Sequence, residues 1–105
     1  MRGVPEPLVY EFRAPLWPWE VRRDLWTFVT LPEEAGDDIP MVADALRRGF
    51  GSVPVEVRVG TTTWRTSVFP QRSGGPYVLP VKRAVREKYG LDVGDQVDVW
   101  LQLLV

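Results

Sequence analysis

Four valines at every second position, Val53, Val55, Val57 and Val59, constrain this chain more than any other feature. An extended backbone turns successive side chains to opposite faces, so the valines line one face while Pro54, Glu56 and Arg58 line the other. A strand that is apolar on one side needs a sheet around it and a core beneath it. Gly60-Thr61-Thr62 then reads as a turn, with Thr63 to Phe69 as the return strand of a hairpin. The same period of two recurs near both ends. Leu8, Tyr10, Phe12 and Ala14 alternate with Val9, Glu11 and Arg13, and Val97, Val99, Leu101 and Leu103 predict a last strand. Residues 25–31 (LWTFVTL), rich in aromatic and β-branched side chains, predict a strand buried on both faces.

Helical signals are few. Residues 33–38 read as an acidic loop, with Asp37 or Asp38 capping a short helix that has Pro40 in its first turn and ends at Gly49. A second helix is expected to open at Pro80 and run to about Tyr89, burying Val81, Ala84, Val85 and Tyr89. Gly90 then caps it, with Leu91 as the hydrophobic contact of a Schellman motif. Residues 15–24 read as a connection, residues 71–75 as a flexible loop and Val93-Gly94-Asp95 as a tight turn. Five or six strands with two short helices, and no βαβ repeat, point to a mostly β fold. A small antiparallel barrel leaves the fewest open edges.

The 105 residues make one domain, 1–105, with residues 1–7 as a loose tail. Neither Cys nor His occurs. Disulfides, the usual zinc sites and every His- or Cys-based mechanism are thereby excluded. No metal or other cofactor is expected. No apolar run is long enough to span a membrane, and residues 1–7 lack the pattern of a signal peptide, so a cytoplasmic protein is expected.

The net charge of −1 argues against bulk nucleic-acid binding. The charge is unevenly spread, however: residues 45–88 carry +7, between flanks of −5 and −3. Folding produces either one basic face or an interleaving of the signs.

Several strings occur together in one order: Phe28-Val29-Thr30-Leu31-Pro32, Arg48-Gly49-Phe50-Gly51-Ser52, Trp64 to Pro70 (WRTSVFP), Tyr77 to Lys82 (YVLPVK), and Gly94-Asp95. In that order and spacing the chain resembles the bacterial family called domain of unknown function nineteen-oh-five, over roughly Tyr10 to Leu103. The resemblance implies a double-split antiparallel β-barrel, related in shape to AbrB-type and MazE-type DNA-binding proteins. It implies no activity, because none is established for the family.

Chemistry is sought first at the start of the second helix. Lys82 and Arg83 stand where the helix dipole favours acids. With Arg86, and with Arg48 beside Gly49-Phe50-Gly51, they outline a site for a phosphate or carboxylate, and Ser67 is a further hydrogen-bond donor. The plainer alternative is a solvated face, with Arg83 and Glu87 paired one turn apart. Ser67 and Lys82 also form a formal nucleophile pair, but no glycine-framed elbow surrounds Ser67. Trp26, Trp64 and Trp100 are expected to pack in or against the barrel, while Trp17 and Trp19, in a loop, are the better contacts for a ligand or partner.

The leading expectation is a non-enzymatic binding module for an anionic small molecule or an acidic protein surface, acting as monomer or dimer. A DNA-binding regulator or antitoxin-like protein, by barrel shape, is the alternative. A small Ser/Lys enzyme comes third.

Overall fold

Alternating valines and leucines build the larger of two sheets. The computed structural model describes residues 8–18, 27–42, 51–71 and 76–104. Strand β1 is Val9–Pro15, β4 is Val53–Val59, β5 is Thr62–Val68 and β7 is Gln96–Leu103, with sheet order β1-β7-β4-β5 and every pairing antiparallel. The alternation in β4 falls as the sequence predicts, with all four valines buried. Hairpin β4–β5 turns through Gly60 and Thr61, and Gly60 takes φ +59°, a left-handed conformation natural to glycine.

The smaller sheet contains β2 (Trp17–Pro18), β3 (Thr27–Thr30) and β6 (Val78–Pro80), in the order β2-β3-β6. Residues 15–18, expected as connection, are therefore largely strand. Trp17 stacks against Phe28 with ring centroids 5.1 Å apart and donates its indole N–H to Thr30 Oγ1 at 2.9 Å. This tryptophan ties β2 to β3.

Among the described residues, the mostly β, antiparallel character and two short helices are as expected. A closed barrel is not formed among the described residues. The two sheets meet at two seams instead. At one, Leu16 is the single residue between β1 and β2. At the other, β5 reaches β6 through one isolated bridge, Phe69 to Val78. The core lies between the sheets and includes Val29, Val55, Val57, Val68, Leu79 and Leu101, all at 0% exposure. Burying each such side chain contributes about 1.5–3 kcal/mol relative to leaving it in water.

Helix α1 spans Glu33–Val42 and corrects the expected acidic loop. Pro32 precedes it and accepts the Ala35 N–H at 3.0 Å. Glu33 and Glu34 occupy the first turn, where carboxylates face the positive end of the helix dipole. Ala35 and Ile39, one turn apart, are both fully buried. Because the helix starts at Glu33, Pro40 lies in its last turn rather than its first. The expected cap at Gly49, with Arg48 and Phe50, lies outside the described residues, as do the 1–7 tail, Trp19, Trp26 and residues 72–75.

Helix α2 spans Arg83–Lys88, with Lys82 as its N-cap. It begins three residues later than expected because Pro80 pairs with Phe28 as the last residue of β6. Its C-terminus forms the predicted Schellman motif: Leu91 N–H donates to Arg86 O at 2.8 Å and Gly90 N–H to Glu87 O at 3.3 Å.

Candidate functional site: the cleft between β5 and the β6–α2 turn

Proline chemistry opens the second seam. Phe69 and Val78 exchange two bonds, Phe69 N–H to Val78 O at 3.0 Å and Val78 N–H to Phe69 O at 2.9 Å. In an antiparallel ladder the next exchanging pair would be Ser67 with Pro80. Proline has no N–H to give, so the ladder stops after one bridge. Past that point lies a cleft of about 360 Å³, within the range of small-molecule sites.

Side chains of three strands and the α2 approach line it. From β5 come Trp64, Arg65 and Thr66; from β3 comes Thr27; from the β6–α2 turn come Pro80, Val81, Lys82 and Arg83. The Lys82 ammonium sits 5.7 Å from the Trp64 ring centroid, a cation–π distance. Arg83 Nε donates to Glu87 Oε2 at 3.0 Å, so the plainer pairing expected of this helix is present.

Among the described residues, two polar groups beside Val81 have no partner. Val81 N–H donates to Thr27 O at 2.8 Å, and Arg86 Nε donates to Val81 O at 3.2 Å. Thr27 is only 2% exposed, yet its hydroxyl makes no hydrogen bond. Arg86 Nη2 is likewise buried and unpartnered. Buried polar atoms are almost always satisfied, and an orphan costs about 1–3 kcal/mol. Here two of them flank one residue at the edge of a cleft.

Of the five residues singled out from sequence, three gather here: Lys82 and Arg83 on the wall, and Arg86 behind Val81. Ser67 does not join them. It pairs with Pro54, and strand alternation puts it on the outer face of the sheet, whereas Lys82 reaches the Trp64 side. The formal Ser67–Lys82 pair is therefore not assembled. Arg48 lies outside the described residues. Sequence reasoning missed Thr27 and Thr66. For Thr27 the one available signal was a threonine at each end of the apolar pair Phe28-Val29, which marks a boundary and says nothing of partners; for Thr66 there was none.

The outer face of the four-stranded sheet interleaves its charges. Arg13 pairs with Asp98 and Arg65 with Glu56, each at 3.5 Å. Arg58 lies 4.5 Å above the Trp100 ring. The depression between β1, β7 and β4 on this face is lined by these two pairs, Arg13 with Asp98 and Arg58 with Trp100, and by Glu11. Among the described residues no cluster of acids has the makings of a metal site. No described helix is long and apolar enough to cross a membrane.

A second cluster closes the far end of α2. Tyr89 Oη accepts the Thr61 N–H at 2.9 Å and lies 2.8 Å from Thr62 Oγ1 and 3.2 Å from Thr61 Oγ1. Lys88 Nζ donates to Thr62 Oγ1 at 3.0 Å. The Thr61 hydroxyl, then the Thr62 hydroxyl, with help from the Thr61 amide and the Lys88 charge, lower the phenol from near 10 to about 8.

These features define a small two-sheet β domain with a ligand-sized seam. The family described as Domain of unknown function (DUF1905) matches residues 12–101, nearly the whole chain, and the protein belongs to it. No curated protein matches the chain.

Proposed function

We propose that the protein is a non-enzymatic binding module that takes a small anionic ligand into the cleft between β5 and the β6–α2 turn. The observation that carries this reading is a cleft lined by Lys82 and Trp64, with the Thr27 hydroxyl, unpartnered among the described residues, buried at its wall. A carboxylate or phosphate oxygen accepts from both a hydroxyl and an ammonium. Trp64 offers a ring face to any apolar part of the ligand. A helix of six residues, α2 adds little dipole of its own, so the side chains supply the attraction. The interleaved charges of the outer face favour this reading over a nucleic-acid one. We also place the protein in the cytoplasm, since a chain without cysteine gains nothing from an oxidising compartment.

Titration of the ¹⁵N-labelled protein with inorganic phosphate and, separately, with benzoate tests the proposal. The Trp64 indole and the Thr27 and Lys82 amides are expected to shift, and Lys82→Glu to abolish the response. Shifts elsewhere only, or an unchanged response in Lys82→Glu, overturn it.

A further inference from the structure

We infer that the ligand of the cleft is an aromatic monocarboxylate, with its carboxylate held between the backbones of Arg65 and Lys82 and its ring against Trp64, Pro80 and Val81. This rests on the cleft being an anion site and adds the class of anion.

Backbone direction places the carboxylate. Successive residues of a strand turn their N–H and C=O to opposite sides. Phe69 turns both groups to Val78, so Arg65, an even number of residues back along β5, turns its own to the same side. On the facing strand, Tyr77 O and Val81 N–H are both engaged by the β3 side, at Leu31 and Thr27. Lys82 therefore turns its N–H the other way, towards β5. With φ −69° and ψ 157°, Lys82 continues the extended run of β6.

Stepping by alternate residues from the Phe69–Val78 bridge brings Ser67 opposite Pro80, and then Arg65 opposite Lys82. Ser67 and Pro80 stand at the closed end of the seam. Arg65 and Lys82 stand where it has opened, and both line the cleft. Among the described residues neither of their N–H groups has a partner. A carboxylate carries two acceptor oxygens on one carbon and can take an N–H from each strand.

Charge fixes how many negative charges the ligand brings. Arg65, Lys82 and Arg83 are the cations of the cleft wall. Arg65 already pairs with Glu56, and Arg83 with Glu87. Lys82 has no carboxylate partner among the described residues, and its ammonium stands 5.7 Å from the Trp64 ring centroid. One uncompensated positive charge suits one negative charge. A doubly charged phosphate would bring a second charge that no free cation on this wall neutralises.

The remaining space suits an apolar body. A cleft of about 360 Å³ is far larger than an inorganic ion, and Trp64, Pro80 and Val81 give it an apolar side. Trp64 is half-buried, so its indole still presents surface to a ligand. A flat ring enters between diverging strands and gains the ordinary preference of aromatic pairs.

Naphthoate is the probe, with its methyl ester and inorganic phosphate for comparison, followed through the amide spectrum of the full chain. Naphthoate is expected to move the Arg65 and Lys82 amide protons downfield and to bind about tenfold or more tightly than the ester or phosphate. Lys82→Met should bring the acid down to the affinity of the ester. The inference is overturned by an ester that binds as well as the acid, by phosphate binding as tightly as naphthoate, or by a Lys82→Met variant that still prefers the acid. Naphthoate binding that leaves the Arg65 and Lys82 amides unmoved overturns it too. Phosphate shifts at the cleft with none from naphthoate sink the aromatic carboxylate alone. Silence with all three compounds sinks the cleft as a site.

Discussion

Each helix is moored to the large sheet by one tyrosine hydroxyl, and the two moorings are electrostatic opposites. Tyr10 on β1 is 5% exposed and donates to Asp38 Oδ2 of α1 at 2.8 Å. Burial first, then the bond to Asp38 and the nearby carboxylate charges, drive its ionisation well above the usual range for a phenol. Tyr89, just past α2, instead accepts bonds at a hairpin turn, and its phenol is lowered. One mooring is a buried donor fixed on an anion. The other is an acceptor at the surface. The cleft lies beside the helix held at the surface, α2. A site that must admit a ligand belongs next to the element that costs least to shift.

Breaking the buried mooring should have the largest effect. Tyr10→Phe is expected to cost about 1.5–3 kcal/mol, as for a hydrogen bond to a charged group, read as a lower urea midpoint. Gly60→Ala attacks the other mooring. A Cβ there would lie 2.7 Å from the Tyr89 ring, on a backbone with φ +59°. A loss of more than about 1 kcal/mol is expected, with α2 amides exchanging faster than those of α1. Thr27→Val should run the other way. Removing an unpartnered buried hydroxyl at constant shape should raise the stability of the free protein by about 1 kcal/mol while phosphate binding falls. A loss of stability would mean that the hydroxyl has a partner within the fold.

The subtlest contrast is one of pH. Tyr10 has its ionisation raised by folding, so its contribution is complete below pH 10 and declines as the pH rises beyond that. Tyr89 has its ionisation lowered to about 8, so its contribution is present above pH 10 and lost as the pH falls through 8. Between pH 8 and pH 10 the Tyr89 mooring should therefore strengthen. Phenolate absorbance should show one tyrosine titrating near 8, absent in Tyr89→Phe.

The sheets were legible where one face is buried and the other wet. The valines of β4, the turn at Gly60 and the alternation of β7 all follow from a period of two, and the Schellman end of α2 from Gly90 and Leu91. Proline misled twice. Pro80 opens helices and also ends edge strands, and only its pairing with Phe28 decides between these roles. Pro40 is as admissible in a last turn as in a first once Ala35 and Ile39 have set the buried face. Acids at 33–34 were as consistent with a first helical turn as with a loop.

The candidate site was half visible. Clustered cations at 82–86 announce themselves in a sequence. The unpartnered Thr27 hydroxyl does not, since it depends on which described atoms lie within reach. Ser67 was drawn in by its neighbours in the chain and placed elsewhere by strand alternation.

Leu16 joins β1 to β2 and is 1% exposed, with its N–H given to Asp95 O at 3.0 Å and its carbonyl accepting the Gly94 N–H at 2.8 Å. One uninterrupted stretch of chain thus serves both layers and is pinned at its midpoint to the turn before β7. Separating the layers would expose Leu16 and break both of its backbone bonds. Melting should accordingly be concerted, with far-ultraviolet ellipticity and tryptophan emission tracing a single shared curve.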